Sequence, residues 1–227
     1  MAKIFYVEDD ANLSFVVKDC LQMNGHEVDH YSKGDEALYG FNRHDYDICI
    51  LDVMLPNVDG FTITKTIRNK NPHIPIIFIS AKIQIEDKLE GLSIGGDDYI
   101  FKPFSFEELI LKINIFLKRK HASIEKVEKG NFTIGMFNLD EENLTLTGNN
   151  QSIRLTQRET DLIAFFAKNQ NKLLRREEIL IALWGQDDYF LGGSLDVFIS
   201  RVRKYLSPDK SILIENIPRV GFRMVIS

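Results

Sequence analysis

The sequence predicts a two-domain chain, an α/β domain on a doubly wound, five-stranded parallel sheet followed by a smaller α+β domain. Three observations carry this. At 227 residues the chain exceeds the common size of one domain. Short apolar runs alternate strictly with amphipathic stretches through the first half. After residue 120 the rhythm breaks at a polar stretch, "HASIEKVEK", and a different order of strands and helices begins.

Lys3–Val7 reads as the first strand, and Leu13, Val16, Val17, Cys20 and Leu21 then share one helix face. A strand over Glu27–Tyr31, a helix over Asp35–Phe41 and a strand over Asp47–Leu51 follow. Next come a helix over Gly60–Arg68, a strand over Ile74–Ile79, and a helix over Ile83–Ile94 ended by Gly95 and Gly96. Tyr99–Phe101 is the last strand. The helix after it buries Phe106, Leu109, Ile110, Ile113, Phe116 and Leu117, with Lys118, Arg119 and Lys120 complementing its C-terminal dipole. Such alternation places helices on both faces of a parallel sheet. The spans are therefore 1–120 for the first domain, 121–129 for a linker and 130–227 for the second. In the second, turn signals at Gly130 and Gly148-Asn149-Asn150 mark short strands. Thr156 and Glu159 form a capping box at a helix start. Helices over Arg176–Trp184 and Ser194–Leu206 and a terminal hairpin complete it.

Composition narrows the class. Hydrophobic residues make up 44% and charged residues 27%, which suits a folded water-soluble chain. No apolar run is long enough for a bilayer, and the N-terminus lacks the parts of a secretion signal. Cys20 and Cys49 form no CxxC pair and sit among apolar neighbours, as buried thiols of a cytoplasmic protein do. Residues 1–120 carry 14 Lys and Arg against 19 Asp and Glu, a net −5. Residues 130–227 carry 12 of each, so nucleic acid binding there needs a local basic patch.

The stretch "DICILDVMLPNVDG", Asp47 to Gly60, runs an apolar strand straight into a carboxylate, Asp52. A charge beside an apolar wall is costly unless compensated. Ligands of a doubly wound sheet bind beyond the C-terminal strand ends. There the first strand ends in Glu8-Asp9-Asp10, the third in Asp52 and the fourth in Ser80, while Lys102 follows the fifth. Converging carboxylates repel one another, and a hard divalent cation with oxygen ligands relieves this; Mg²⁺ suits so few protein carboxylates. Asp10 reads as a solvated helix start.

These residues carry a resemblance. "FYVEDD", "ILDVMLPNVDG", "FISAK" and "GGDDYIFKPF" stand in the order and spacing of the receiver domain of bacterial response regulators, whose fold is flavodoxin-like. The resemblance implies that Asp52 accepts a phosphoryl group from a sensor histidine kinase. It implies Mg²⁺ held by Asp9, Asp52 and the Met54 carbonyl, with Glu8 acting through a water. Lys102 would contact the phosphoryl oxygens, with a cis bond to Pro103. Ser80 and Tyr99 would form the switch pair, Ser80 drawn towards the phosphoryl group and Tyr99 turning in behind it.

Residues 130–227 resemble the winged helix-turn-helix of the OmpR/PhoB class, through "LTQRETDLIAFFAKNQNKLLRREEILIALWG" and "SLDVFISRVRKYL". In the helix Ser194–Leu206, Leu195, Ile199, Val202 and Leu206 form an inward apolar stripe. The reading places Ser194, Val197, Arg201 and Lys204 on the opposite side, flanked by Ser200 and Arg203. Arg201 would read a guanine edge in double-stranded DNA, Arg203 would hold phosphate and Phe198 would meet thymine methyls. The wing "IPRVGFRM" has Pro218-Arg219 where the family carries Arg-Gly, with Arg219 reaching towards the minor groove. Gly185–Gly193 matches the family's loop that touches RNA polymerase.

The implied function is a phosphorylation-controlled transcription factor that forms a homodimer. Lys88 would pair with Glu108, Asp98 with Lys112 and Asp97 with Arg119 across a two-fold axis. A competing reading, an Mg²⁺-dependent phosphohydrolase of haloacid-dehalogenase type, needs a second acid two residues after Asp52, where Met54 stands instead. Neither GxSxG nor HExxH occurs, so the chain reads as no enzyme in its own right. A third reading is a DNA-binding regulator with a silent receiver.

Overall fold

The computed structural model describes residues 1–82, 84–122, 130–184 and 191–227. The chain divides into two compact units, Met1–Ile124 and Glu125–Ser227.

In the first unit, strands β1 (Lys3–Val7), β2 (Glu27–Tyr31), β3 (Ile48–Asp52), β4 (Ile76–Ser80) and β5 (Asp98–Phe101) form one parallel sheet in the order β2-β1-β3-β4-β5. Strand side chains alternate between two cores. Ile4, Tyr6, Ile48, Ile50, Ile77, Ile79 and Ile100 pack with helices α1 (Ala11–Met23) and α5 (Phe106–Ala122). Phe5, Val7, Cys49, Leu51, Ile76, Phe78 and Tyr99 pack on the other face, with residues of α2 (Gly34–Phe41) and α3 (Gly60–Lys70). Burial on both faces explains why the strands read as continuous apolar runs. Helix α4 (Ile85–Ser93) is shorter than the Ile83–Ile94 expected, and Ile83 lies outside the described residues. The expected linker 121–129 overlaps the end of α5, and residues 123–129 lie outside the described residues.

The second unit opens with an antiparallel sheet of β6 (Asn131–Ile134), β7 (Phe137–Asp140), β8 (Thr145–Gly148) and β9 (Gln151–Arg154). Helices α6 (Gln157–Lys168), α7 (Arg176–Trp184) and α8 (Leu191–Leu206) follow, with β10 (Leu174–Arg175) between the first two. Strands β11 (Ile212–Ile217) and β12 (Gly221–Ile226) make the terminal hairpin and join β10 in a three-stranded sheet. The capping box of Thr156 and Glu159 is present. Helix α8 starts three residues earlier than the Ser194 expected, taking in Gly192 and Gly193 despite their poor helix propensity.

Candidate functional site

The strand ends of the first unit converge on Asp52. Its Oδ2 lies 2.5 Å from Lys102 Nζ, and its Oδ1 accepts the Met54 amide at 2.7 Å. Lys102 Nζ also meets both Glu8 oxygens, at 2.8 and 2.7 Å. Glu8 and Asp52 are buried and Asp9 is exposed, and ligand oxygens of these three lie within 4.8 Å of one another. The Lys102–Pro103 bond is cis. Burial pushes the Glu8 carboxyl up to about 7 against the opposing pull of Lys102. Burial works against the Lys102 charge too, yet its hydrogen bonds to Asp52 and Glu8 outweigh it and raise its pKa.

Local sequence sets this geometry. His30 bonds the Glu8 carbonyl at 2.9 Å, and Asp10 caps α1 by accepting the Asn12 and Leu13 amides, so it belongs to the helix start. After Asp52 the chain turns through Asn57, at φ 66°, to Asp59, which caps α3. A Cβ on Gly60 would collide with the Asp52 carbonyl, so only glycine lets α3 start this close. The Lys102 amide donates to the Ser80 carbonyl at 2.8 Å, fixing the lysine across the end of β4.

Ser80 is fully buried and its Oγ accepts the Lys82 amide at 3.1 Å. Tyr99 is 3% exposed, packs against Phe78 and Phe101, and donates its hydroxyl to the Lys82 carbonyl at 3.4 Å. The ring thus already points inward.

Several of the charges expected at a dimer face have partners within the chain. Lys112 and Asp98 pair within one chain at 2.9 Å, both almost fully buried. Asp97 is buried against Arg68, at 2.7 Å, and accepts the Ile76 amide at 3.0 Å. Lys88 is buried beside the Phe101 ring, Glu108 is half-buried, and the Arg119 side chain lies outside the described residues. These buried acids and bases satisfy each other within the chain because isolated buried charge is expensive.

In the second unit the outward face of α8 differs from the one expected. Ser194 and Phe198 are fully buried, Phe198 with its ring 5.7 Å from that of Trp184. They are corrected from DNA contacts to core, because they extend the stripe of Leu195, Ile199, Val202 and Leu206 into a wider apolar face. Asp196, Ser200, Arg203 and Lys204 are exposed, and Val197 is half-buried between them and the core. Arg201 turns inward to Glu159, Nη2 to Oε1 at 2.6 Å, with its side chain 19% exposed. Arg203 donates Nε and Nη2 to the Ile214 carbonyl of β11 at 3.0 and 2.7 Å. Arg219 is exposed at the hairpin turn with φ 62°. Residues 185–190 of the expected polymerase loop lie outside the described residues, as do the side chains of 191–193.

Comparison with known proteins agrees with both halves. Residues 4–114 match the response regulator receiver domain family, and residues 150–224 match the family described as transcriptional regulatory protein, C terminal. The transcriptional regulatory protein RprY of Bacteroides fragilis is 39% identical over 98% of this chain and 94% of its own. The response regulator ArlR of Staphylococcus aureus is 35% identical over 98% of this chain and 99% of its own. The crystal structure of DrrB, a Thermotoga maritima OmpR/PhoB homologue, superposes with a TM-score of 0.53 at 28% identity, covering 99% of each chain. Doubly wound sheet, acidic strand-end pocket and winged helix together define a phosphorylation-regulated transcription factor. The chain belongs to the OmpR/PhoB family of two-component response regulators. Its task is therefore control of DNA binding and transcription rather than turnover of a substrate.

Proposed function

We propose that Asp52 accepts the phosphoryl group, delivered by a sensor histidine kinase. The observation that carries this is Lys102 Nζ bridging Asp52 and Glu8 at the end of β3. A carboxylate oxygen of Asp52 forms the new bond to phosphorus as the bond from phosphorus to the donor breaks in line with it. Lys102 would neutralise the equatorial oxygens; its ammonium, serving two carboxylates, supports this role.

The donor set fits Mg²⁺: three carboxylates with oxygens within 4.8 Å, one exposed and two buried, are all hard ligands. Asp9, Asp52 and the Met54 carbonyl would hold it, with Glu8 acting through a water. When bound there, the ion would supply charge neutralisation of the transferred group. Ser80 and Tyr99 relay the change to the face of α4, β5 and α5, and two copies then associate there as a homodimer. Glu108, half-buried, is a charge of that face able to reach a partner. In the second unit, Val197, Arg203, Lys204 and Arg219 supply contacts to double-stranded DNA, and residues 185–193 contact RNA polymerase. Domain spans of 1–120 and 130–227 joined by 121–129, and a cytoplasmic setting, belong to this reading.

A small phosphodonor with Mg²⁺ tests it by intact mass. Wild type gains one phosphoryl group, Asp52→Ala gains none, and Asp9→Ala gains it more slowly. Equal gain by Asp52→Ala, or an acid-stable phosphoserine at Ser80, contradicts the assignment.

A further inference from the structure

We propose that Arg201 is a positioning residue that fixes the rotation of α8 through Glu159, and does not itself read bases; this rests on the reading of α8 as the DNA-contacting helix. Arg201 Nη2 stands 2.6 Å from Glu159 Oε1. Tyr205, one turn further along α8, donates its hydroxyl to the same oxygen at 2.7 Å. Glu159 Oε2 accepts the Thr156 amide at 2.7 Å. One carboxylate, 1% exposed, therefore ties the capped start of α6 to two successive turns of α8. Burial and the Glu159 charge push the Tyr205 hydroxyl up to about 12, so it stays a donor.

An apolar stripe alone constrains a helix weakly in rotation, because dispersion and burial have no direction. Hydrogen bonds do have direction, and each residue step turns an α-helix by about 100°. A small roll of α8 would carry Ser200 and Lys204 away from an outward position and bring Tyr205 out. The Glu159 contacts at positions i and i+4 admit a single rotation. Were Arg201 to swing out to a base edge, the buried Glu159 carboxylate would lose its cation, at a desolvation cost the base contact must first recover. The sequence suggested a reader because the residue is basic and near the exposed stripe. Its partner lies on another helix, and only the fold brings them together.

The test uses full-length wild type, Arg201→Ala, Arg201→Lys, Glu159→Gln and the double variant Arg201→Ala/Glu159→Gln. Each is challenged with a pool of duplexes carrying a randomised core, and bound duplexes are sequenced at a temperature where circular dichroism finds every variant folded. Amide hydrogen exchange along α8 is followed separately without DNA. Arg201→Ala and Glu159→Gln are each expected to lose about tenfold in affinity across all enriched duplexes, with base preferences unchanged. The double variant should be no weaker than the singles, Arg201→Lys should recover part of the loss, and α8 should exchange faster in both singles. Loss of preference at one base pair in Arg201→Ala, with Glu159→Gln silent, would overturn the proposal. Unchanged exchange along α8 in both singles would overturn it without reference to DNA. If wild type enriches no duplex while exchange still accelerates, the strut stands and the DNA-contacting reading of α8 is what fails.

Discussion

Lys102 Nζ and Asp52 Oδ2 stand 2.5 Å apart although Lys102 follows β5 and Asp52 ends β3, strands that are separated by β4. The lysine reaches across because its amide is pinned to the Ser80 carbonyl at the end of β4. At the other side Glu8 completes the triangle from the end of β1. Two buried carboxylates share one ammonium, so the pocket holds more negative than positive charge. A proton or a cation would relieve that imbalance.

Removing the ammonium makes the imbalance worse. Lys102→Ala leaves Glu8 and Asp52 facing each other without a cation, and breaking such a buried pair costs about 3–5 kcal/mol. The loss should be largest where both carboxylates are ionised. Urea unfolding in chelator is therefore expected to find a larger deficit at pH 8 than at pH 5, and Mg²⁺ should restore more of it than in wild type. A deficit independent of pH would place the role of Lys102 in packing alone.

Glu8 gives the metal-free protein a pH dependence of definite sign. Its folded pKa, about 7, lies above the ordinary value of 4.5, so the native state binds this proton more tightly than the unfolded chain. The stability from Glu8 is fully present below about pH 4.5 and is lost as pH rises through about 7. Glu8→Gln should flatten this part of the stability profile. Parallel profiles for variant and wild type between pH 5 and pH 8, in chelator, would contradict the assignment.

Asp98 and Lys112 were expected to meet across two copies, yet they meet within one. Lys112→Glu would therefore place two carboxylates together in a nearly dry site. A loss of about 3–5 kcal/mol in the stability of the first unit is expected, seen as a lower urea midpoint whether or not the protein is phosphorylated. Dimerisation is better probed with Glu108→Lys, half-buried and so less entangled with folding. Sedimentation after phosphorylation should find the dimer weakened by Glu108→Lys. A dimer indifferent to that change would place the interface elsewhere.

The acidic pocket was legible in the sequence because strict alternation of strand and helix locates strand ends, and Glu8, Asp9, Asp52 and Lys102 all stand at such ends. The outward face of α8 was less legible. Reading the apolar stripe as Leu195, Ile199, Val202 and Leu206 left Phe198 outside it, although Ser194, Phe198 and Val202 follow the same four-residue spacing beside it. A wider stripe would have put both residues inside. Partners such as Glu159 for Arg201, or Arg68 for Asp97, are set by tertiary approach, which no local pattern records.

Arg219 separates backbone from side chain at the tip of the terminal hairpin. Its φ of 62° is left-handed, a conformation that costs a non-glycine residue about 1–2 kcal/mol. Arg219→Gly removes that strain, so the thermal midpoint should hold or rise. The same change removes an exposed guanidinium from the turn of the hairpin whose strand β11 is bonded by Arg203 of α8. If the side chain reaches a DNA backbone or minor groove, affinity should fall while stability does not, and the slope of log affinity against log salt should flatten by about 1. Arg219→Lys should keep most of that slope, whereas Arg219→Ala should lose the slope and retain the strain. Fluorescence anisotropy on one enriched duplex at several salt concentrations, with thermal melts of the same samples, separates the two effects. Unchanged affinity in Arg219→Gly would make the residue a turn former only and remove the wing tip from the DNA surface.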